Sequence, residues 1–215
     1  MDQGVLQELK EKPFFLIISA PPNSGKTYMI EWILLNIANS FKYGCVFCPE
    51  HSNSQYSNIL PSKYIHNTNV DQMIKNLITL QNNTEKKYRA FLILDDCLGQ
   101  SNLFSSNIFQ QLITTYRHLN ISIFLAVQYI KSTNKSPLIQ TCASHVIIFK
   151  PINTLQYKNL FEYFGSNKYK NLHSFQTSVI KKLKKKYSFL IYIIQDNKFI
   201  YNDPLSEIYN FYINY

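Results

Sequence analysis

The sequence predicts an α/β fold in three layers, with a mostly parallel central sheet and a small C-terminal hairpin and helix elaboration. Three observations carry this. Apolar runs of strand length alternate with amphipathic runs of helical period, the pattern of a sheet with helices on both faces. The strand-like runs are continuously apolar rather than alternating, which marks strands buried on both sides. The first run leads directly into a Ser-Gly-Lys-Thr turn and then a helix.

The first strand is expected over Phe14 to Ser19. A helix follows from about Lys26 to Ser40, with Met29, Ile30, Ile33, Leu34 and Ile37 at helical spacing. Gly44 to Phe47 reads as the second strand, and Glu50 to Tyr56 as a polar loop. A short strand is expected near Lys63 to His66, then a helix from about Val70 to Gln81. Ala90 to Leu94 is a strand ending in Asp95 and Asp96. Ile108 to Tyr116 reads as a helix and Ile121 to Val127 as a buried strand ending at Gln128. A short helix over Pro137 to Ser144 leads into a fifth core strand, His145 to Phe149.

Beyond Pro151 the character changes. Tyr157 to Phe164 and Phe175 to Lys185 read as helices, and Phe189 to Gln195 with Phe199 to Tyr201 as a hairpin. Pro204 to Tyr215 is expected to form a terminal helix. The chain of 215 residues thus divides into a core over 1–150 and a C-terminal elaboration over 151–215, packed on that core.

Hydrophobic residues make up 46% of the chain, enough for a two-sided core. The net charge of +9 favours acidic partners such as nucleic acid. Nearly all the positive charge is lysine, and Arg89 and Arg117 are the two arginines, so few positions can do work that needs guanidinium geometry. Cys45 and Cys48 form a C-x-x-C, but no second pair completes a four-ligand set and the pair lies in an apolar strand. Buried thiols and a reducing compartment are the expectation. Met1 to Lys12 is polar and mixed in charge, unlike a signal peptide, and apolar runs such as Phe189 to Ile194 are too short to span a bilayer.

The turn after the first strand, Ala20-Pro21-Pro22-Asn23-Ser24-Gly25-Lys26-Thr27, has the spacing of a phosphate-binding P-loop. In that context backbone N–H groups and a helix N-terminus cradle an anion. Pro22, Asn23, Ser24, Gly25, Lys26, Thr27 and Tyr28 are the candidate contacts to ATP. Lys26 would reach the β- and γ-phosphates, and the Thr27 hydroxyl would bind Mg²⁺. Ala20 stands where the pattern has its first glycine, which is costly if that residue needs a positive φ.

Phe91-Leu92-Ile93-Leu94-Asp95-Asp96 puts two acids at the end of a strand, the edge where ligands bind in open α/β sheets. Asp95 is the candidate Mg²⁺ ligand and Asp96 the candidate general base for water. A second adjacent carboxylate points to the additional-strand, RecA-like branch of P-loop NTPases. Gly44 to Phe47 is expected to supply the strand inserted between the P-loop strand and the acidic strand. Gln128, at the tip of the following strand, is a candidate γ-phosphate sensor, and Arg117 a candidate arginine finger acting on a neighbouring subunit. Arg89 is a reserve for that role, at the start of a strand.

These three elements, the P-loop, Leu92-Ile93-Leu94-Asp95-Asp96, and Arg117-His118 with Ile121-Ser122 and Gln128, together resemble the FtsK–HerA superfamily. The resemblance covers roughly Phe14 to Phe149 and is nearest to the genome-packaging ATPases of large eukaryotic DNA viruses, including virophages and poxviruses. It implies a homo-oligomeric ring that hydrolyses Mg²⁺-bound ATP and drives double-stranded DNA into a capsid, docked on a capsid or portal-vertex protein. It implies action in the host-cell cytoplasm or viral factory, or in the virion. The departures are Ala20 and the C-terminal part, which matches no element of that family. Within that part, Lys181, Lys182, Lys184, Lys185 and Lys186 form a candidate DNA-phosphate patch. Three other readings remain open: a helicase or plasmid-transfer motor of the same superfamily, a nucleotide kinase, and a non-catalytic nucleotide-binding virion protein. A kinase would need an arginine-rich lid, which two arginines cannot build.

Overall fold

A computed structural model describes residues 1–97, 103–128 and 137–203. Among them an eight-stranded sheet has the order β3-β2-β4-β5-β1-β6-β7-β8. The strands are β1 (Phe15–Ser19), β2 (Tyr43–Phe47), β3 (Ile65–His66), β4 (Ala90–Asp95), β5 (Ile121–Val127), β6 (His145–Phe149), β7 (Phe189–Ile193) and β8 (Lys198–Asn202). Every residue of β1, β4, β5 and β6 is buried, as the unbroken apolar runs require. The first six strands pair in parallel, so the ends of β1, β4 and β5 lie along one edge.

Side chains alternate between the two faces. Phe14, Leu16 and Ile18 pack with α1 (Gln3–Glu11), α2 (Lys26–Ile37) and α3 (Asn53–Tyr56). Phe15 and Ile17 pack on the other face with α4 (Val70–Asn83), α5 (Asn107–Thr115), α7 (Thr154–Leu160) and α8 (Leu172–Lys182). The short α6 (Pro137–Cys142) precedes β6. Four of the described helices begin under side-chain caps: Asp2 for α1, Ser106 for α5, Asn153 for α7 and Asn171 for α8. Helix α7 runs on into a π-helical turn, Phe161–Gly165.

The expected sheet order is overturned, and the Glu50 to Tyr56 stretch read as a loop forms a helical turn and α3. The strand between β1 and β4 is β5, not the Gly44 to Phe47 strand. Strand β2 pairs with β4 on its far side, with β3 beyond it. Strands β2 and β5 are both continuously apolar, so neither carries a local mark of its place in the sheet. The crossover through α5 returns the chain between β4 and β1, and that decides the order.

The segment after residue 150 extends the same sheet. Strand β7 runs antiparallel to β6, pairing Phe189 with Phe149, and β8 runs antiparallel to β7. The Asp2 backbone N–H donates to Asn202 Oδ1 at 2.9 Å, so the first residues meet the last strand. The helix expected over Pro204 to Tyr215 lies outside the described residues.

Candidate functional site

The tip of β1 turns into α2 through a loop with two left-handed residues, Asn23 at φ 57° and Gly25 at φ 90°. Asparagine and glycine adopt this conformation at least cost, and such turns aim successive N–H groups inward as an anion nest. Ser24 Oγ donates to the Pro21 carbonyl and closes the turn. Ala20 is fully buried, has no positive φ, and its N–H donates to Val127 O at 3.0 Å. The missing glycine therefore costs the loop nothing. Pro22 and Asn23 are exposed at the loop tip, while Tyr28 lies half-buried in the first turn of α2.

Two small clusters form where the loop faces the ends of β4 and β5. In the first, Asp95 Oδ2 accepts from Thr27 Oγ1 at 3.0 Å and from the Tyr56 hydroxyl at 2.7 Å. Asp95 is 3% exposed, and its Oδ1 is buried without a hydrogen-bond partner. In the second, Gln128 Nε2 donates to both Asp96 oxygens, at 3.1 and 3.3 Å. Lys26 Nζ lies 4.0 Å from Asp96 Oδ1. Asp96 itself sits at φ 50°, and its N–H donates to Ala126 O at 3.2 Å, which turns the carboxylate toward Lys26 and Gln128. Gln156 Nε2 reaches the Gln128 carbonyl at 3.5 Å from the start of α7.

Tyr56 was not legible as part of the site. It ends the short α3 within a stretch read as polar loop, and only the fold brings it to Asp95. Burial, and then the Asp95 carboxylate, push its hydroxyl pKa well above the usual tyrosine value, so it stays a hydrogen-bond donor. Cys48, behind the same acid, is pushed up to about 11 by burial and by Asp95. Burial raises Cys45 to about 12. Both thiols are buried and protonated at neutral pH.

The other candidates lie elsewhere. Arg117 stacks 5.0 Å from the Tyr116 ring centroid and lines a cavity of about 510 Å³ with Lys12, Phe14, Ser144 and His145. Those residues belong to the starts of β1 and β6, the edge opposite the P-loop. Arg89 is a structural residue. Its guanidinium donates to the carbonyls of Leu9, Lys10 and Lys12 and to Ser122 Oγ, and it stacks near Phe14 and Phe41. Burial lowers its pKa to about 10. The lysine run is divided: Lys181 and Lys182 end α8, while Lys184, Lys185 and Lys186 lie in the loop before β7. Lys185 Nζ pairs with Asp203 Oδ1 at 2.8 Å.

The poxvirus A32 protein family matches residues 2–210 of the chain. An uncharacterised protein, 075L, of Invertebrate iridescent virus 6 is 29% identical over 151 residues, 68% of this chain and 58% of that protein. The DNA packaging protein OPG160 of Variola virus is 23% identical over 166 residues, 72% of this chain and 61% of that one. The chain thus spans somewhat over half the length of these relatives. Among solved structures, the genome packaging NTPase B204 of Sulfolobus turreted icosahedral virus 2, in complex with AMPPCP, superposes with a TM-score of 0.64 at 19% identity. That match covers 89% of this chain and 98% of B204. It shows that the two share a fold.

Proposed function

This chain belongs to the poxvirus A32 protein family, and we propose that it is an ATP-hydrolysing motor that packages viral double-stranded DNA into a capsid. One observation carries the reading: Lys26, Asp96 and Gln128 converge beside the Thr27–Asp95 pair at the mouth of the P-loop. The packaging role of the Variola relative and of B204 supports the choice of substrate.

The donor set also fits Mg²⁺. Thr27 and Asp95 offer hard oxygen ligands, and the orphaned Asp95 Oδ1 is a buried acceptor in need of a partner. When bound, Mg²⁺ neutralises charge on the β- and γ-phosphates. Lys26 holds the same phosphates. Asp96 accepts a proton as water attacks the γ-phosphorus, and the bond to the β-phosphate oxygen breaks to release ADP. Gln128 holds the Asp96 carboxylate in register and reports on the γ-phosphate. Tyr56 fixes Asp95. Arg117 lies at the edge opposite its own P-loop, and in this reading it serves a neighbour's nucleotide within a ring. The exposed Lys181, Lys182 and Lys184 supply phosphate contacts without base readout, as a translocating motor needs. Capsid docking, and work in the cytoplasm or viral factory, belong to the same proposal.

The test is complementation. Asp96→Asn and Arg117→Ala should each keep ATP binding and lose turnover by about a hundredfold or more. Mixed, they form some interfaces with both residues intact, so activity should exceed that of either alone. A mixture no more active than its parts would contradict action between subunits. An Asp96→Asn variant with undiminished turnover would contradict the assigned base.

A further inference from the structure

The nucleotide site has a side that the catalytic groups leave untouched. Asp96 and Gln128 stand at the ends of β4 and β5, on one flank of β1. A triphosphate in the P-loop must turn its γ-phosphate toward them. Its nucleoside then leaves on the other flank, toward β6 and β7. Because β7 runs antiparallel, its first residue pairs with the last of β6. The loop before β7 is thereby brought to the P-loop edge of the sheet.

That loop delivers an aromatic ring to the P-loop. Tyr187 Cδ1 lies 3.8 Å from where a Cβ on Gly25 would stand. Tyr187 holds φ 64°, a left-handed conformation that costs a bulky residue roughly 1–2 kcal/mol. Strain of this kind persists where surroundings hold it, and it gathers at ligand sites. Here the surroundings are specific. Ser188 N and Oγ both donate to the Lys185 carbonyl, and Lys185 is tied to Asp203. Tyr187 is 36% exposed, and Lys186 Nζ lies 4.8 Å from its ring centroid.

We propose that Tyr187 is a nucleotide-binding residue whose ring packs against the nucleoside moiety of the triphosphate held in the P-loop. The proposal rests on the nucleotide-site reading above and adds the group that recognises the part of the ligand beyond the phosphates. An aromatic face suits a base or ribose, since every base offers a π-face, and a ring alone discriminates little between bases. The flanking Lys186 adds positive charge beside the phosphate path.

The test compares two ligands by calorimetry in Mg²⁺: ATP, and inorganic tripolyphosphate, which has the phosphates without the nucleoside. Tyr187→Ala should weaken ATP binding about tenfold and leave tripolyphosphate binding unchanged. Tyr187→Phe should restore ATP affinity, because the ring and not the hydroxyl makes the contact. If Tyr187→Ala weakens both ligands equally, the ring only props the P-loop, and the proposal is overturned. It is equally overturned if ATP affinity does not change. Wild-type protein that binds neither ligand would overturn the nucleotide-site reading itself, and this inference with it.

Discussion

Asp95 shows how much a single carboxylate depends on its neighbours. One oxygen takes two hydrogen bonds, and the other, sealed from solvent, takes none. A buried acceptor without a partner costs stability, so the arrangement favours whatever ligand completes it. Tyr56→Phe removes one donor and keeps the ring. It should raise the Mg²⁺ concentration needed for half-maximal turnover by about tenfold or more, as loss of a supporting hydrogen bond does at metal sites. A magnesium titration of activity checks this. His145 is a second buried polar residue with an exposed cost. Its Nδ1 meets Ser144 Oγ at 2.9 Å, while Nε2 makes no hydrogen bond and lies 3.5 Å from Glu8. Burial lowers its pKa below 6.5, against the opposing pull of Glu8 and Asp196. Below pH 6.5 the unfolded chain therefore binds a proton that the native chain resists. Stability should be intact at neutral pH and fall as pH drops from 6.5 toward the lower native value. Thermal melts across that window should show the slope in wild type and a flatter one in His145→Gln. At this scale the placement was largely legible: Lys26, Thr27, Asp95, Asp96 and Gln128 are adjacent in space because their motifs sit at strand tips. Tyr56 was not, because a tyrosine in a polar stretch has no local signature.

At the scale of elements, periodicity found the strands and most helices but not their neighbours. Helix α1 carries no clear sequence signal because it is short and only Val5 and Leu9 are fully buried, with Leu6 packed partly against the same core. Its Asp2 cap, accepting from the Val5 N–H at 3.1 Å, was the available signal. Strand order escaped for a different reason. Hydrogen-bond partners are chosen by crossover connections, and β2 and β5 look alike from within. Gly44 records one such tertiary decision. A Cβ added there would lie 2.5 Å from the Phe91 ring on the paired strand β4. Gly44→Ala should destabilise the protein by about 1–3 kcal/mol through overpacking between β2 and β4. Chemical denaturation checks it, and an unchanged midpoint would show that the ring moves aside freely.

At the scale of the whole molecule, the two edges of one sheet carry different residues. The P-loop edge gathers Lys26, Thr27, Asp95, Asp96 and Gln128, and the other edge presents Arg117 beside Lys12 in a cavity. In the proposed ring each subunit would lend its arginine edge to a neighbour's nucleotide edge. The C-terminal strands do more than decorate the core: they extend its sheet and carry the 183–188 loop back to the P-loop. No described helix is long and apolar enough to cross a membrane. The net charge of +9 fits a partner with a phosphate backbone, whose binding should weaken steeply with salt. The most direct measurement is ATP turnover in Mg²⁺ with and without long double-stranded DNA at low salt. The account predicts that DNA accelerates wild-type turnover and that the acceleration vanishes in Asp96→Asn while ATP still binds. ATP that binds but never turns over, with DNA present at any concentration, would contradict it.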